Sequence, residues 1–251
     1  MASLSSKLRY LLLQVRRADD PMREQEVRCF SRALGCDADR IEVLDLIHEV
    51  PTPRRLRAVD GVLMGGSGDY SVAAGGDWLG GALVAMRELV EWNIPTYASC
   101  WGFQALARAL GGEVVTDIDS AEVGTFEMQL TEAGLSDPVF AALGPRFLAQ
   151  QGHQDIVTQL PPGAVLLATS ARNRNQAFTL PGKPIYCSQF HPELDRQSLL
   201  ERAAHYPEYV ERVVGVSLEE FAASLQDTPQ TDQLLERFTS HVFGERAERR
   251  A

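Results

Sequence analysis

The chain has 251 residues, 45% of them hydrophobic and 23% charged, a globular composition that excludes disordered and collagen-like chains. Its 24 Lys and Arg against 34 Asp and Glu leave a net charge of −10, which speaks against nucleic acid or an anionic membrane as partner, because phosphate contacts need clustered cations. The length suits one large domain with a sizeable core, or one domain plus an appendage.

Short apolar runs alternate with amphipathic stretches, the βαβ rhythm of a largely parallel sheet covered by helices. Tyr10 to Val15 reads as a first buried strand. Its Leu11-Leu12-Leu13 run is cut by Gln14 and Arg16-Arg17, too soon for a signal core or a membrane span. Asp19-Asp20-Pro21 marks a helix start, Met22, Val27, Phe30 and Leu34 make its apolar face, and Gly35 ends it. Ile41 to Ile47 is a second strand, and Gly61 to Met64 a third that opens into Gly65-Gly66-Ser67-Gly68. Trp78 to Trp92 reads as a helix, Ile94 to Ser99 as a fourth strand, and Gly102 to Leu110 as a helix stopped by Gly111-Gly112. Glu122 to Leu130, Phe147 to Gln150, Ala164 to Thr169, Gln176 to Thr179 and Ile185 to Phe190 are strand-like with no long helix between them, so some antiparallel pairing is expected. Beyond Leu194 the pattern turns helical: Arg196 to Val214, Leu218 to Gln226 and Thr231 to Val242. The expected fold is α/β, a three-layer sandwich on a mostly parallel central sheet. It spans 1–195, with a helical C-terminal extension over 196–251 whose charged surface includes Glu245, Arg246, Glu248, Arg249 and Arg250, and which is expected to cap the domain, mediate self-association or dock a partner.

The four cysteines, Cys29, Cys36, Cys100 and Cys187, are widely spaced with no C-x-x-C pair. A structural zinc site or redox dithiol is therefore not expected, and a reduced, cytoplasmic setting is. Cys100 stands apart from the others. An apolar strand runs into it and a helix begins at once, the pattern of a nucleophile elbow with sulfur in place of oxygen. Ala98 and Gly102, two residues to either side, are small enough to keep strand and helix from colliding. The helix N-terminus favours the thiolate, which is the reactive form. A buried free cysteine packing as a small hydrophobe is the alternative. A nucleophile needs a base and the base an orienter. Phe190-His191-Pro192-Glu193 ends a strand and offers both, with Pro192 stiffening the backbone between imidazole and carboxylate. The glycine loop after the third strand and the N–H of Trp101 are candidate donors to a developing oxyanion. The loop matches neither G-x-G-x-x-G nor a Gly-Lys-Ser/Thr phosphate loop. All three elements close predicted strands, at the sheet edge where open α/β folds place their sites.

In these motifs the sequence resembles the class I, triad-type glutamine amidotransferases, over roughly residues 8 to 195. The family's G-x-C-x-G-x-Q elbow is matched by Ala98 to Gln104 except at the first position, and its Gln-Phe-His-Pro-Glu segment is reproduced in full at 189–193. Gly65-Gly66 matches its oxyanion loop, with Ser67 where Pro is common, and segments at 153–157, 160–161, 167–170 and 176–178 add to the likeness.

The resemblance implies that Cys100 is the nucleophile, His191 the general base and acid, and Glu193 the orienter. Gly66 and Trp101 then donate to the oxyanion, and Gly65 and Gln104 contact substrate. It implies hydrolysis of the side-chain amide of L-glutamine through a thioester, and no metal or organic cofactor. The acceptor of the ammonia is expected to be a synthetase on another chain, or there is none, since 196–251 are too few residues for such a domain. A γ-glutamyl peptidase with the same triad and a catalytically silent regulatory subunit are the other readings. Ala98 in place of the family's usual Gly is expected to be tolerated, Trp101 to narrow the pocket or pack, and Phe103 to pack the elbow helix. His153 and Asp155 are expected to be structural or to sit at the rim of the pocket.

Overall fold

The computed structural model describes residues 4–248. The apolar runs form strands β1 (Tyr10–Val15), β2 (Ile41–Asp45), β3 (Gly61–Ser67) and β4 (Thr96–Ser99). They alternate with helices α1 (Met22–Leu34), α2 (Pro53–Arg57), α3 (Leu79–Glu91) and α4 (Trp101–Ala109). The next strands are β5 (Glu113–Thr116), β6 (Glu122–Leu130), β7 (Arg146–His153), β8 (Asp155–Gln159), β9 (Val165–Ser170), β10 (Ala177–Thr179) and β11 (Ile185–Ser188), with the short helix α5 (Glu132–Ser136) between β6 and β7. Among the described residues, nine strands make one sheet in the order β2-β1-β3-β4-β11-β10-β9-β6-β7, and β5 and β8 pair apart. Pairing from β2 through β11 is parallel; from β11 to β7 it is antiparallel. This is the mostly parallel α/β sheet with an antiparallel flank that the sequence pattern implies.

The strand period of two sorts the core onto both faces. Tyr10, Leu12, Leu63 and Tyr97 pack on one side with Phe30 and Leu34 of α1. Leu11, Leu13, Val62, Met64 and Ala98 pack on the other with Leu79 and Met86 of α3 and Leu106 of α4. α1 begins where Asp20 Oδ1 accepts from Met22 N at 2.8 Å and ends at Gly35, whose φ of 62° places it in the left-handed region that glycine tolerates.

The structure differs from the expected helix over Arg196 to Val214. Three segments replace it: α6 (Arg196–His205), α7 (Pro207–Tyr209) and a π-helical turn at Val210–Val214. Pro207 is the cause, since a proline excludes the preceding residue from helical geometry; Tyr206 accordingly sits at φ −119°, ψ 64°. The last helices are α8 (Leu218–Ser224) and α9 (Leu234–Glu248). Leu234, Leu235 and Phe238 of α9 join the core cluster of α1, and Phe221 and Leu225 pack with Leu199 and Ala203 of α6. The tail charges from Glu245 to Arg250 lie outside the described side chains. Among the described residues no helix is long and apolar enough to cross a membrane.

Candidate active site

β4 delivers Cys100 to the end of the sheet, between Ser99 and the first residue of α4. Its backbone is strained: φ is 50° and ψ −106°, in a region that side-chain-bearing residues rarely adopt. Two hydrogen bonds fix the turn. Cys100 N donates to Ser188 O of β11 at 2.8 Å, and Gln104 N donates to Cys100 O at 3.1 Å. Gly102 fits because the helix rests directly on β3 and β4; a Cβ there would lie 2.5 Å from Met64 Cβ and 3.1 Å from Ala98 Cβ.

β11 delivers His191. Its backbone N donates to Gln150 O of β7 at 2.9 Å, which anchors the strand-end loop. The imidazole Nδ1 and Glu193 Oε1 are 2.6 Å apart, and Ser99 Oγ donates to Glu193 Oε2 at 3.0 Å. Glu193 is fully buried. Burial alone would raise its carboxyl, but His191 first, and then Arg202, hold it below the usual carboxylate range. For His191 burial works downward, while Glu193 and then Cys100, by charge and hydrogen bonding, push it up to about 9. Cys100, His191 and Glu193 are therefore brought together as a connected thiol–imidazole–carboxylate row.

The glycine loop is the end of β3 itself. Pairing with β4 stops at Met64↔Ala98, and the ladder to β1 shifts register between Leu13 and Val15. Gly66 lies against the imidazole: a Cβ there would be 3.0 Å from His191 Cε1. Gly65 faces away, its side-chain position filled by Glu26 and Phe30 of α1, and it is not among the residues that line the two pockets beside Cys100.

Those pockets share Ser67, Cys100, Gly152 and Tyr209. The larger, about 210 Å³, is polar and bordered by Asp69, Ser71, Trp101, Gln104, His153 and Gln154. Gln104 lines it with its amide nitrogen committed to Asp155 O at 2.9 Å and Gln189 Oε1 at 3.1 Å. Asp155 pins the rim: Ser71 Oγ and Thr116 Oγ1 each donate to its carboxylate at 2.6 Å. His153 is buried with both ring nitrogens engaged, Nδ1 at 3.0 Å from Asp155 O and Nε2 at 3.2 Å from Glu122 Oε2. Trp101 stacks on Trp78 at 5.7 Å between ring centroids, and Phe103 packs fully buried against Phe178.

A sequence profile of the glutamine amidotransferase class-I family matches residues 28–200. The chain belongs to this family. Among curated relatives, the glutamine-hydrolysing GMP synthase of Xanthomonas oryzae pv. oryzae (strain PXO99A) is 37% identical over 133 residues, 49% of this chain and 25% of that protein. One subunit of the glutamine-hydrolysing GMP synthase of Sulfolobus acidocaldarius is 33% identical over 139 residues, 55% of this chain and 70% of that one. The chain thus spans a quarter of the length of the Xanthomonas relative. A solved glutamine amidotransferase from Thermotoga maritima shares the fold, with a TM-score of 0.73 at 20% identity over 93% of this chain and 97% of its own.

Several residues around the family motifs carry no clear signal in the sequence. Ser99 is a hydrogen-bond donor to Glu193, yet in sequence it is one more small strand residue. Gly152 O lies 3.8 Å from Cys100 Sγ. Arg202 brings Nη1 to 4.0 Å from Glu193 Oε1. Its only sequence signal is an arginine three residues after Leu199, on the buried face of α6.

The remaining thiols are disfavoured as nucleophiles. Burial pushes Cys29 up, Cys36 up to about 11, and Cys187 well above the thiol range. Iodoacetamide is therefore expected to label Cys100 ahead of these three, because the thiolate is the reactive species. Peptide mass spectrometry checks this; equal labelling of all four would remove the case for an activated thiol.

Proposed function

We propose that the chain hydrolyses the side-chain amide of L-glutamine through Cys100, His191 and Glu193. The observation that carries this is Cys100 itself, held in a strained turn at the head of α4 with the Glu193-bound imidazole of His191 beside it. Family membership supports the substrate. The Cys100 thiolate attacks the side-chain carbonyl carbon, with the N–H groups of Gly66 and Trp101 as donors to the oxyanion. His191, protonated, gives its proton to the nitrogen as the C–N bond breaks, and ammonia leaves. Water then attacks the thioester with His191 as base, releasing glutamate and restoring the thiol. Glu193 keeps the imidazole in the tautomer and orientation both steps need.

The polar pocket takes the glutamyl part, with Gln104 bracing its floor through Asp155 and Gln189. The ammonia passes to an acceptor synthetase on a separate chain; the likeness to the Sulfolobus protein, itself one subunit of a glutamine-hydrolysing synthase, supports this.

Glutamate release from L-glutamine, followed during progressive iodoacetamide treatment, tests the reading. Release is expected to decline in step with Cys100 labelling. Release that persists with Cys100 fully alkylated, or that is absent from the untreated chain, overturns it.

A further inference from the structure

Two pockets of opposite chemistry meet at Cys100. Beyond the polar one, a second pocket lies on the His191 side, walled by Val123, Leu194, Leu199, Ala203, Tyr206 and Val210. Arg16 and Arg202 also border it: the Arg16 guanidinium is taken up by Glu26 and Asp20, while Arg202 donates from Nε to Gln25 and holds Nη1 4.0 Å from Glu193, with its Nη2 buried and without a hydrogen-bond partner. Leu199, Ala203, Tyr206 and Val210 of this wall come from α6 and the turn after it, and the last three lie beyond the family-matched segment, which ends at residue 200.

The acid that protonates a departing nitrogen must stand within hydrogen-bond reach of it. His191 borders the apolar pocket and not the polar one. With the glutamyl part in the polar pocket, the departing nitrogen points toward the apolar one. Ammonia has no carbon to place against such a wall, whereas an alkyl group on that nitrogen does.

We infer that this pocket is a leaving-group subsite, and that the chain hydrolyses γ-glutamyl amides of short alkylamines as well as glutamine. The inference rests on the roles proposed above for Cys100 and His191. The pocket measures about 60 Å³, against the ~150 Å³ of a cavity that holds benzene. That sets the alkyl group at about two or three carbon atoms. The chemistry balances as for glutamine. The thiolate forms the thioester, the C–N bond breaks, His191 gives its proton to the nitrogen, and the alkylamine leaves. Water then yields glutamate, so one amide and one water give one glutamate and one amine.

The test measures kcat/KM for glutamate release from L-glutamine and from the γ-glutamyl methyl-, ethyl- and hexylamides. Each buried carbon of the alkyl group is expected to contribute about fourfold, so the ethylamide should exceed glutamine by about fifteenfold, and the hexylamide, too long for the pocket, should fall below the ethylamide. Ala203→Leu, which fills the pocket, should lower the ethylamide-to-glutamine ratio by about tenfold. Leu199→Ala, which widens it, should raise the hexylamide-to-ethylamide ratio. Turnover of glutamine with no measurable turnover of the ethylamide, or ratios that neither variant moves, overturns the subsite and leaves the glutaminase reading standing. Turnover of no substrate overturns both.

Discussion

Glu193→Gln is expected to reduce kcat for glutamate release by about a thousandfold or more while the chain stays folded. The change is isosteric and removes one charge. Glu193 accepts from His191 Nδ1 at 2.6 Å and from Ser99 Oγ at 3.0 Å, so both carboxylate oxygens are engaged. A glutamine at this position has one acceptor and one donor. If its NH2 group faces Nδ1, the imidazole must carry its proton on Nε2, toward Cys100, and cannot take the thiol proton. The corresponding Asp-to-Asn change in a serine triad costs ~10⁴ in kcat, which sets the scale. The pH dependence is a second readout. Glu193 is the largest upward influence on His191, which burial alone would push down, and the net result is a rise from 6.5 to about 9. A group raised in the folded state stabilises fully below its unfolded pKa and loses that contribution as pH climbs through the folded one. The native chain should therefore lose stability between pH 6.5 and about 9, and the variant should lose less over that window. The lowered carboxyl of Glu193 is the other side of the same interaction, present at neutral pH and lost on acidification through its folded pKa, and it adds no separate contribution. Steady-state kinetics and urea midpoints at the two ends of the window check both expectations. A variant within tenfold of the native kcat would remove Glu193 from the proposed mechanism.

The legible and illegible parts of this molecule divide along a physical line. The inner parallel strands announce themselves because both faces are buried, so Tyr10 to Val15, apolar but for Gln14, reads as a strand and forms β1 with those bounds. The elbow is legible because its steric demands are local: a strand, a cysteine and two small residues specify it within five positions. The His-Pro-Glu segment is local in the same way. What escapes is set by contacts distant in sequence. Arg202 is held beside Glu193 by α1, where Gln25 Oε1 accepts from its Nε at 2.7 Å across 177 residues of sequence. β5 and β8 do not stand out as strands in the sequence, since each is short and they pair only with each other across about forty residues. Gly65 and Gly66 look equivalent in sequence. One backs onto Glu26 and the other onto His191, because consecutive strand residues face opposite sides of the sheet. Pro207 is visible, yet an amphipathic pattern running across it masks the break it imposes at Tyr206.

Gly102→Ala tests how much of the site depends on the seating of α4. A methyl at this position would meet Met64 Cβ at 2.5 Å and Ala98 Cβ at 3.1 Å, with the Met64 carbonyl carbon at 3.4 Å. Two of these atoms belong to β3 and one to β4, so strands in the middle of the sheet would have to yield, or the helix would have to rise. Overpacking of this kind costs about 1–3 kcal/mol. The larger expected effect is on turnover. Cys100 and the Trp101 N–H both sit at the first turn of α4, and a displacement of about 1 Å at reacting groups costs on the order of a hundredfold in rate. Ala98 sharpens the test, because the family's usual residue there is glycine. Ala98→Gly alone should leave turnover within a few-fold and cost about 1 kcal/mol, from a lost buried methyl and a more flexible strand. Adding it to Gly102→Ala should restore little, since Met64 Cβ, the nearer obstacle, remains in place. Urea unfolding and glutamate release on the two single variants and the double variant decide the matter. Full recovery in the double variant would make Ala98, rather than Met64, the residue that confines position 102.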